Sequence, residues 1–520
     1  MKQIIATCLG LVLAGFLPGA RAEIVQGQLE LRWGDPIPVH GKSQPPSRFV
    51  ATLVGDDGKR RALDPAQARR AAGDLYALAN RRVAVEFSRT KRGAGAIMAI
   101  VPADRLQLPG LSKALLAPKA VSGNTRWVTV ACKFSDIAEE QKPVTFFSGQ
   151  YGTDPGQLGH YWKEVSYNKI DLAGSSAFGW FTLPQPRSFY VTMVDGEEDA
   201  NLDQLFDDCA AAANPTVNFN GAQGINMMFN GDLDGYAWGG GRYAALDGPN
   251  RLWSSTWNPP WSFNNLAPLA HEMGHGYGLP HSNNSDGDDD PYDNPWDVMS
   301  DAWSNAVDNA TYGALPKHIN VRQRDRLGWI DAARKLTVPA RAPNAEVVLD
   351  RASLVGSINR QMIVLTLPAE DAVGNVMYTV EARKRKDASA PAMALNYEGN
   401  LAGDAVIIHG VDADGVAYSM DADVPPAERS NNEGSMFKVG ETWTSPDGSQ
   451  KISVLSATTN GFLVKIGNPR LTGGPLLPRS KPSTVKPVQS RPASSRSPRQ
   501  RPGLGCDDPA NGERCKNQIR

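Results

Sequence analysis

The stretch from residue 271 to residue 281, HEMGHGYGLPH, constrains the fold more than any other part of the chain, because it holds three of only seven histidines. These are His271, His275 and His281. Residues four apart on a helix lie on the same face, so His271 and His275 can direct their imidazoles at one ion. The spacing predicts a helix that carries half of a metal site.

The residues after His275 predict how that site is completed. A catalytic zinc ion takes three protein ligands and keeps one position open. Gly278 can adopt the left-handed conformation that ends a helix, and Pro280 prevents the helix from resuming. The chain then turns back, and His281 becomes the third ligand. Glu272 cannot share the ion from the same direction, but it can reach a water bound there, which suits a general base.

The complete string, H-E-x-x-H-x-x-G-x-x-H, resembles the signature of the metzincin clan of zinc endopeptidases. In that clan a methionine-containing turn lies beneath the metal, and NPWDVMSD supplies Met299 as its counterpart. VACKFSD, YDNPWDVMSD and RDRLGWI are similar to secreted metzincins of the gametolysin type and, more loosely, of the immune-inhibitor-A type. The resemblance covers residues 122–333. It implies a zinc metalloendopeptidase domain with a mixed twisted sheet and an active-site helix.

At two positions the sequence differs from the pattern found in some members of the clan. The serine after the third histidine, Ser282, resembles the serine that the matrixins have at this position. The matrixin pro-segment carries a cysteine switch, but residues 23–131 contain no cysteine, which excludes latency by that route. Some metzincins place a tyrosine two residues after the turn methionine, where it helps to hold the transition state, and this chain has Asp301 there. Oxyanion stabilisation is therefore expected from the zinc and from groups that the sequence does not identify.

An acidic run, SNNSDGDDDPYDN, lies between the third histidine and the methionine turn. Calcium takes oxygen ligands in flexible numbers, so Asp286, Asp288, Asp290 and Asp293 are candidate calcium ligands. The alternative is a solvated loop, and the spacing does not match an EF-hand. NGDLDG at 230–235 is a weaker candidate, for which a plain turn is the favoured interpretation.

The chain of 520 residues is long enough for several domains. Residues 1–22 combine Lys2, an apolar run and small residues near Ala22, which is typical of a secretory signal peptide. The protein is therefore expected to be secreted and extracellular. The apolar run is too short for a membrane span, and no later stretch is long enough, so no stable membrane insertion is expected.

The rest of the chain is predicted to be multidomain α/β plus all-β. In residues 23–120 apolar and polar residues alternate, which predicts a small β-rich domain with one helix at 64–80. This domain is either a pro-segment of a zymogen or a permanent accessory domain. Residues 121–334 form the α/β catalytic domain, with one helix predicted to begin near Asp154. Residues 335–468 read as an antiparallel sandwich or barrel. Residues 469–520 are a disordered basic tail rich in proline and serine.

Cysteine usage agrees with export. Signal removal takes Cys8 and leaves an even number of cysteines, which favours disulfides in an oxidising compartment. Three pairings are open. Distance along the chain favours Cys132 with Cys209 and Cys506 with Cys515, while the alternative leaves one or both pairs reduced.

With a net charge of −1, the chain as a whole has no electrostatic attraction for nucleic acid or for an anionic membrane. The basic tail could contact acidic polysaccharide, although a solvated linker is favoured. The leading hypothesis is a monomeric secreted zinc endopeptidase that hydrolyses peptide bonds of extracellular proteins. One alternative is a surface-polymer-binding protein or adhesin with a vestigial zinc unit, against which the intact Glu272 argues. Another is a zinc hydrolase acting on cell-wall peptides.

Overall fold

The computed structural model describes residues 23–37, 45–88, 95–105, 120–288, 290–340, 342–385, 395–423 and 433–467. The predicted signal peptide, the basic tail and the predicted Cys506–Cys515 pair lie outside these residues. Within these ranges sheets predominate, helices are few, and the arrangement agrees with a coarse α/β plus β class. None of the helices described is both long enough and apolar enough to cross a bilayer.

The N-terminal part contains five strands and one α-helix. They are β1 (Glu23–Pro36), β2 (Arg48–Gly55), β3 (Arg60–Leu63), α1 (Pro65–Ala72), β4 (Arg82–Phe87) and β5 (Ile97–Pro102). The side chain of Asp64 caps α1 by accepting a hydrogen bond from the backbone N–H of Gln67. The single helix predicted over 64–80 is wrong in extent. Gly73, with φ of +74°, ends α1, and a short 3₁₀ helix follows at Leu75–Leu78.

The central part, residues 120–334, alternates strands and helices. Its strands are β6 (Gly123–Asn124), β7 (Trp127–Lys133), β8 (Ile170–Asp171), β9 (Ser176–Thr182), β10 (Val191–Val194), β11 (Glu197–Ala200), β12 (Gly224–Phe229), β13 (Tyr236–Ala244), β14 (Arg251–Asn258), β15 (Asn283–Asn284), β16 (Val307–Asn309) and β17 (Gly313–Leu315). Its helices are α2 (Val144–Gln150), α3 (Leu158–Val165), α4 (Arg187–Tyr190), α5 (Leu202–Ala213), α6 (Pro260–Phe263), α7 (Leu266–Gly276) and α8 (Val321–Arg326).

One mixed sheet joins the N-terminal and central parts. Its main order is β3-β2-β1-β13-β14-β12-β7-β9, and β4 and β5 extend it beside β1. The strands β14, β12, β7 and β9 run parallel to one another, whereas β13 runs antiparallel to both β14 and β1. The residues predicted as an N-terminal domain therefore continue the sheet of the predicted catalytic domain.

Helices pack on both faces of the central sheet. Helix α7 contributes to the core on one face, and α5 contributes to the core on the other. Cys132 on β7 forms a disulfide with Cys209 on α5, with a Cα–Cα distance of 5.9 Å. The bond fastens α5 to a central strand within a fully buried core.

Helix α3 begins later than the sequence predicts. Gly156 has φ of +93°, which is not a helical conformation, so the helix cannot start near Asp154 and instead begins at Leu158. The side chain of Gln157 stabilises this entry by accepting a hydrogen bond from the backbone N–H of Asp154 and donating one to the Gly149 carbonyl.

The C-terminal part consists of two packed sheets. Its strands are β18 (Lys335–Val338), β19 (Ala345–Asp350), β20 (Met362–Thr366), β21 (Asn375–Arg383), β22 (Ala405–Asp412), β23 (Ala417–Ser419), β24 (Thr442–Thr444), β25 (Lys451–Ala457) and β26 (Gly461–Gly467). One sheet has the order β15-β23-β22-β21-β20-β18 and the other β19-β26-β25-β24. Apolar side chains from both sheets share one core, as in a sandwich.

The expectation of a purely antiparallel C-terminal domain is wrong at two pairings. Strands β18 and β20 run parallel because the chain crosses to the second sheet, through β19, between them. Strand β15 pairs in parallel with β23 and comes from the central part, two residues after His281. The C-terminal sheet is therefore completed by residues next to the histidine cluster.

Candidate metal centre

Helix α7 carries His271, Glu272 and His275, all of them buried. The helix lies directly on β13. An added Cβ on Gly239 of that strand would lie 2.4 Å from the carbonyl oxygen of Glu272, so only glycine permits this approach. The close contact fixes the depth of the helix against the sheet.

The end of α7 follows the sequence prediction. Gly278 has φ of +95°, and the backbone N–H of Leu279 donates to the Gly274 carbonyl at 3.0 Å, which closes the last turn. Pro280 follows, and the chain turns back so that His281 faces the two histidines of the helix. The three imidazoles are brought together by this turn.

Hydrogen bonds define which ring nitrogens face the centre. Nδ1 of His271 lies 2.6 Å from the Val298 carbonyl, and Nδ1 of His275 lies 2.7 Å from the Leu279 carbonyl. A carbonyl only accepts, so both Nδ1 atoms carry a proton, and in the neutral form of each ring Nε2 presents a lone pair. Nε2 of His275 lies 3.0 Å from Nε2 of His271 and 3.2 Å from that of His281.

These spacings fit a zinc ion. Zinc–nitrogen bonds of about 2.0–2.1 Å in tetrahedral geometry place ligand nitrogens roughly 3.3 Å apart. Lone pairs of neighbouring imidazoles repel one another unless a cation lies between them. Burial lowers the pKa of His275 to about 3, which keeps this imidazole in the neutral form that binds a metal.

A fourth group, Asp35, faces the same point and was missed by sequence reasoning. Its Oδ1 lies 2.7 Å from Nε2 of His281, and its Oδ2 lies 3.4 Å from Nε2 of His271 and 3.2 Å from Nε2 of His275. Oδ2 is buried without a hydrogen-bond partner. An orphaned carboxylate oxygen facing three imidazoles is the donor set of a four-coordinate cation site.

Two aromatic residues enclose this arrangement. The indole ring of Trp33 stacks on the imidazole of His275, with centroids 4.7 Å apart and planes 6° from parallel. The phenol of Tyr292 donates a hydrogen bond of 2.7 Å to Oδ1 of Asp35, and its ring packs edge-on against His281. Neither residue had been singled out from the sequence.

Burial and nearby charges shift the pKa values of Asp35 and Glu272 in opposite directions. Burial acts to raise the pKa of Asp35, but the His281 and His271 imidazoles hold that pKa well below its usual range. Burial, reinforced by the charge of Asp35, raises the pKa of Glu272 well above its usual range. Oε2 of Glu272 is buried without a hydrogen-bond partner. Glu272 is therefore a carboxyl group whose protonated form is favoured, in a site shielded from solvent.

The turn around Met299 packs beneath helix α7. Met299 is fully buried, and its Sδ would lie 2.3 Å from a Cβ added to Gly274. A buried carboxylate that the sequence did not reveal, Asp297, organises the turn. It accepts hydrogen bonds from the Met299 backbone N–H at 2.8 Å and from the Ser282 hydroxyl at 3.0 Å. Ser282 therefore has a structural part in joining the third ligand to the turn.

Asp301 occupies the position at which some metzincins have a tyrosine. Its Oδ1 accepts hydrogen bonds of 2.9 Å from the backbone N–H groups of Trp303 and Ser304, so it shapes the chain after the turn. It also lines a cavity of about 20 Å³ beside Asp35, His271 and Glu272. About 10–15 Å³ is needed to admit one water, so this cavity has room for little more than one water molecule.

The acidic run forms a second cluster of oxygen ligands. Carboxylate oxygens of Asp286, Asp288 and Asp293 lie within 4.8 Å of one another, whereas Asp290 is outside this group. Asp293 is 4% exposed, and its Oδ2 has no hydrogen-bond partner. Burial, together with the nearby acidic groups, raises the pKa of Asp293 to about 8. The weaker candidate at 230–235 is absent from the metal-type clusters found among the described residues.

Comparison with known proteins gives little further information. No family model and no curated protein match the chain. The chain is similar to the structure of wild-type OgpA from Akkermansia muciniphila, with 11% identity and a TM-score of 0.23 over 58% of this chain and 92% of that one. It is also similar to catalytically inactive OgpA from that organism in complex with an O-glycopeptide substrate, glycodrosocin, with 12% identity and a TM-score of 0.23 over the same shares of the two chains. A TM-score of 0.23 is too low to establish a shared fold, so the interpretation of the metal centre depends on its own residues.

Proposed function

We propose that the protein is a zinc-dependent endopeptidase that hydrolyses peptide bonds of extracellular proteins. The observation that carries the proposal is the convergence of three imidazole Nε2 atoms within one buried centre, with the carboxylate of Glu272 on the same helix. A histidine cluster with a purely structural role would not need an unpartnered carboxylate beside it.

His271, His275 and His281 would hold the zinc ion. When bound, zinc supplies Lewis-acid activation of water and polarisation of the substrate carbonyl. Glu272 takes the proton from the attacking water and transfers it to the departing amine, which is the work of a general base followed by a general acid. Burial raises the pKa of Glu272, which favours uptake of the proton by this carboxyl group.

Tyr292 supplies the oxyanion contact that the sequence left unassigned. Its hydroxyl now donates to an oxygen of Asp35, which lies against the histidines where a substrate carbonyl would lie. Once a peptide bond replaces that carboxylate, the same hydroxyl can donate to the carbonyl oxygen as negative charge develops on it. Burial raises the pKa of Tyr292 well above its usual range, so the phenol keeps its proton.

The acidic cluster is proposed to bind calcium. Three carboxylates converge there, and the buried Oδ2 of Asp293 has no protein donor, which points to a cation as its partner. The cluster begins where β15 joins the C-terminal sheet, and the Ser285 hydroxyl accepts a hydrogen bond from the Asp421 backbone N–H. A cation here would stiffen the segment between His281 and the Met299 turn.

Export to the extracellular space remains part of the proposal. It is supported by the signal-like residues 1–22 and by the disulfide between Cys132 and Cys209. Disulfides of this kind persist in oxidising compartments.

A casein zymogram of the secreted protein, before and after partial proteolysis, tests the peptidase against the polymer-binding alternative. Clearing that disappears with a chelator and returns with added zinc supports the peptidase. Absence of clearing under every activation regime, with retained binding to an acidic polysaccharide, would favour the binding protein.

A further inference from the structure

We infer that β1 is an inhibitory strand: it occupies the surface that binds an extended peptide substrate, and Asp35 supplies the fourth ligand to the metal. This inference rests on the proposed peptidase function, whose site it regulates. Latency would then come from an aspartate in the N-terminal part.

The position of β1 is that of an added sheet strand. Residues Arg32–Pro36 pair antiparallel with Gly240–Tyr236 of β13, and the backbone N–H of Ile37 continues the pairing to the Gly235 carbonyl at 3.1 Å. The opposite edge of β13 is taken by β14. Without β1, the edge of β13 nearest the histidines would present unpaired N–H and C=O groups, to which an extended peptide can add as a strand.

Glycines on both strands allow this close approach. A Cβ on Gly34 would lie 2.8 Å from the Trp238 indole, and a Cβ on Gly240 would lie 2.1 Å from the Leu31 carbonyl oxygen. Neither glycine has room for a Cβ, which indicates that β1 and β13 fit closely against each other. The pairing is therefore specific in register and places Asp35 at the histidines.

The chemistry of Asp35 matches that of a blocking ligand. Its side chain is buried, both oxygens lie between 2.7 and 3.4 Å from imidazole Nε2 atoms, and Tyr292 donates to it. A carboxylate in the fourth position excludes the water that hydrolysis needs. The cavity of about 20 Å³ that remains beside Glu272 has no room for a peptide.

An ion cluster holds the strand in place. Arg32 of β1 donates to Asp203 of α5 at 2.7 Å, and Glu30 of β1 accepts from the Tyr243 backbone N–H at 2.6 Å. Both Arg32 and Glu30 are buried, so these bonds are partly shielded from solvent. Release of Asp35 therefore requires loss of the N-terminal part, or a cut in it, rather than a local side-chain movement.

The test compares the full chain with Asp35→Asn and Asp35→Ala, each with cobalt in place of zinc. Asp56→Asn is the matched control, because Asp56 pairs with Arg82 on the surface. The visible spectrum of cobalt reports its ligands, and titration with acetohydroxamate reports access to the metal. An intramolecular carboxylate has a high effective concentration, so both Asp35 variants should bind acetohydroxamate about tenfold more tightly or better. Their cobalt spectra should change, whereas casein hydrolysis should rise only after the N-terminal part has also been cut, because β1 still covers the peptide-binding surface in both variants.

Equal acetohydroxamate affinity and identical cobalt spectra in the wild type and both Asp35 variants would overturn the inference and leave the peptidase assignment intact. Opened metal access without hydrolysis in any form would support ligation by Asp35 and contradict the peptidase. A second measurement needs no variant. Wild-type protein is treated with limited trypsin, and cleavage is followed by N-terminal sequencing. Activity should rise in step with cleavage before residue 120. Full activity before any cleavage would overturn latency.

Discussion

Gly274 lies directly above Met299: a Cβ added to Gly274 would meet the methionine Sδ at 2.3 Å. Because Met299 is fully buried, it cannot move aside freely. Gly274→Ala should therefore lower the free energy of unfolding by about 1–3 kcal/mol, the usual cost of overpacking, and should weaken zinc binding by displacing α7. Urea unfolding and zinc titration measure the two effects. Gly248→Ala, which meets no atom within 4 Å, is the control and should be neutral. An unchanged Gly274→Ala protein would contradict the packing described.

Replacement of Glu272 by Gln should abolish proton transfer and leave the metal bound. A general base contributes about 10²–10⁴-fold to rate, so kcat/KM on a peptide should fall by that factor. The measurement uses the wild-type and the Asp35→Asn backgrounds after limited trypsin treatment, with zinc content determined in each. Glu197→Gln, at an exposed position at the start of β11, serves as the control. Full casein hydrolysis by Glu272→Gln would show that the proposed mechanism is wrong.

Tyr292→Phe should remove a donor to the reacting carbonyl while preserving the ring against His281. Loss of one oxyanion donor costs about 10²–10³-fold in kcat, with KM changed much less. Steady-state kinetics in the Asp35→Asn background after limited trypsin treatment separate kcat from KM. Tyr312→Phe provides a control tyrosine outside the metal centre. A rise in KM alone would assign Tyr292 to substrate binding and contradict its part in the transition state.

Joint replacement of Cys132 and Cys209 by alanine should destabilise the central sheet. The two cysteines are 77 residues apart, and closing a loop of that length in the unfolded chain stabilises the fold by about 4 kcal/mol in the chain-entropy view. Urea unfolding of the oxidised wild type and of the variant gives the difference. The wild type under strong reductant should approach the variant, and equal stability of all three would contradict a structural disulfide.

Calcium should stabilise the wild-type protein through Asp293. Saturation of one site with about 100-fold excess over Kd contributes about 2.7 kcal/mol, which corresponds to a rise of a few degrees in Tm. The response is measured by thermal unfolding in zinc-containing buffer with and without calcium. It should vanish in Asp293→Asn and persist in Asp308→Asn, an exposed aspartate outside the cluster. A response retained by Asp293→Asn would place the calcium elsewhere.

The sequence indicated those parts of the site that lie close together in the chain. The spacing of His271 and His275, the break at Gly278 and the return of His281 depend on local helix and turn chemistry, which short motifs record. Asp35 is 246 residues from His281, and its approach depends on the pairing of β1 with β13. No local pattern around Asp35 or Tyr292 indicates such a long-range contact.

In the fold, too, local features could be predicted from the sequence and long-range pairings could not. Alternation predicted the strands of the N-terminal and C-terminal parts, and the spacing of His271 and His275 predicted α7. The sheet that joins β1 to β13 and the parallel pair of β15 with β23 could not be predicted, because alternation specifies which face of a strand is buried and not which strand lies beside it. The domain boundaries at 120 and 334 therefore remain predictions drawn from composition.

The pairing of β15 with β23 also sets an order of events during biosynthesis. Asn283 and Asn284 follow His281 almost at once, yet their partners, Tyr418 and Ser419, leave the ribosome more than a hundred residues later. The third histidine is synthesised early, but the strand beside it has no neighbour until most of the C-terminal sheet exists. A nascent or truncated chain that ends before β23 therefore lacks the strand beside His281, so the candidate metal centre gains this support only after most of the described fold has been made.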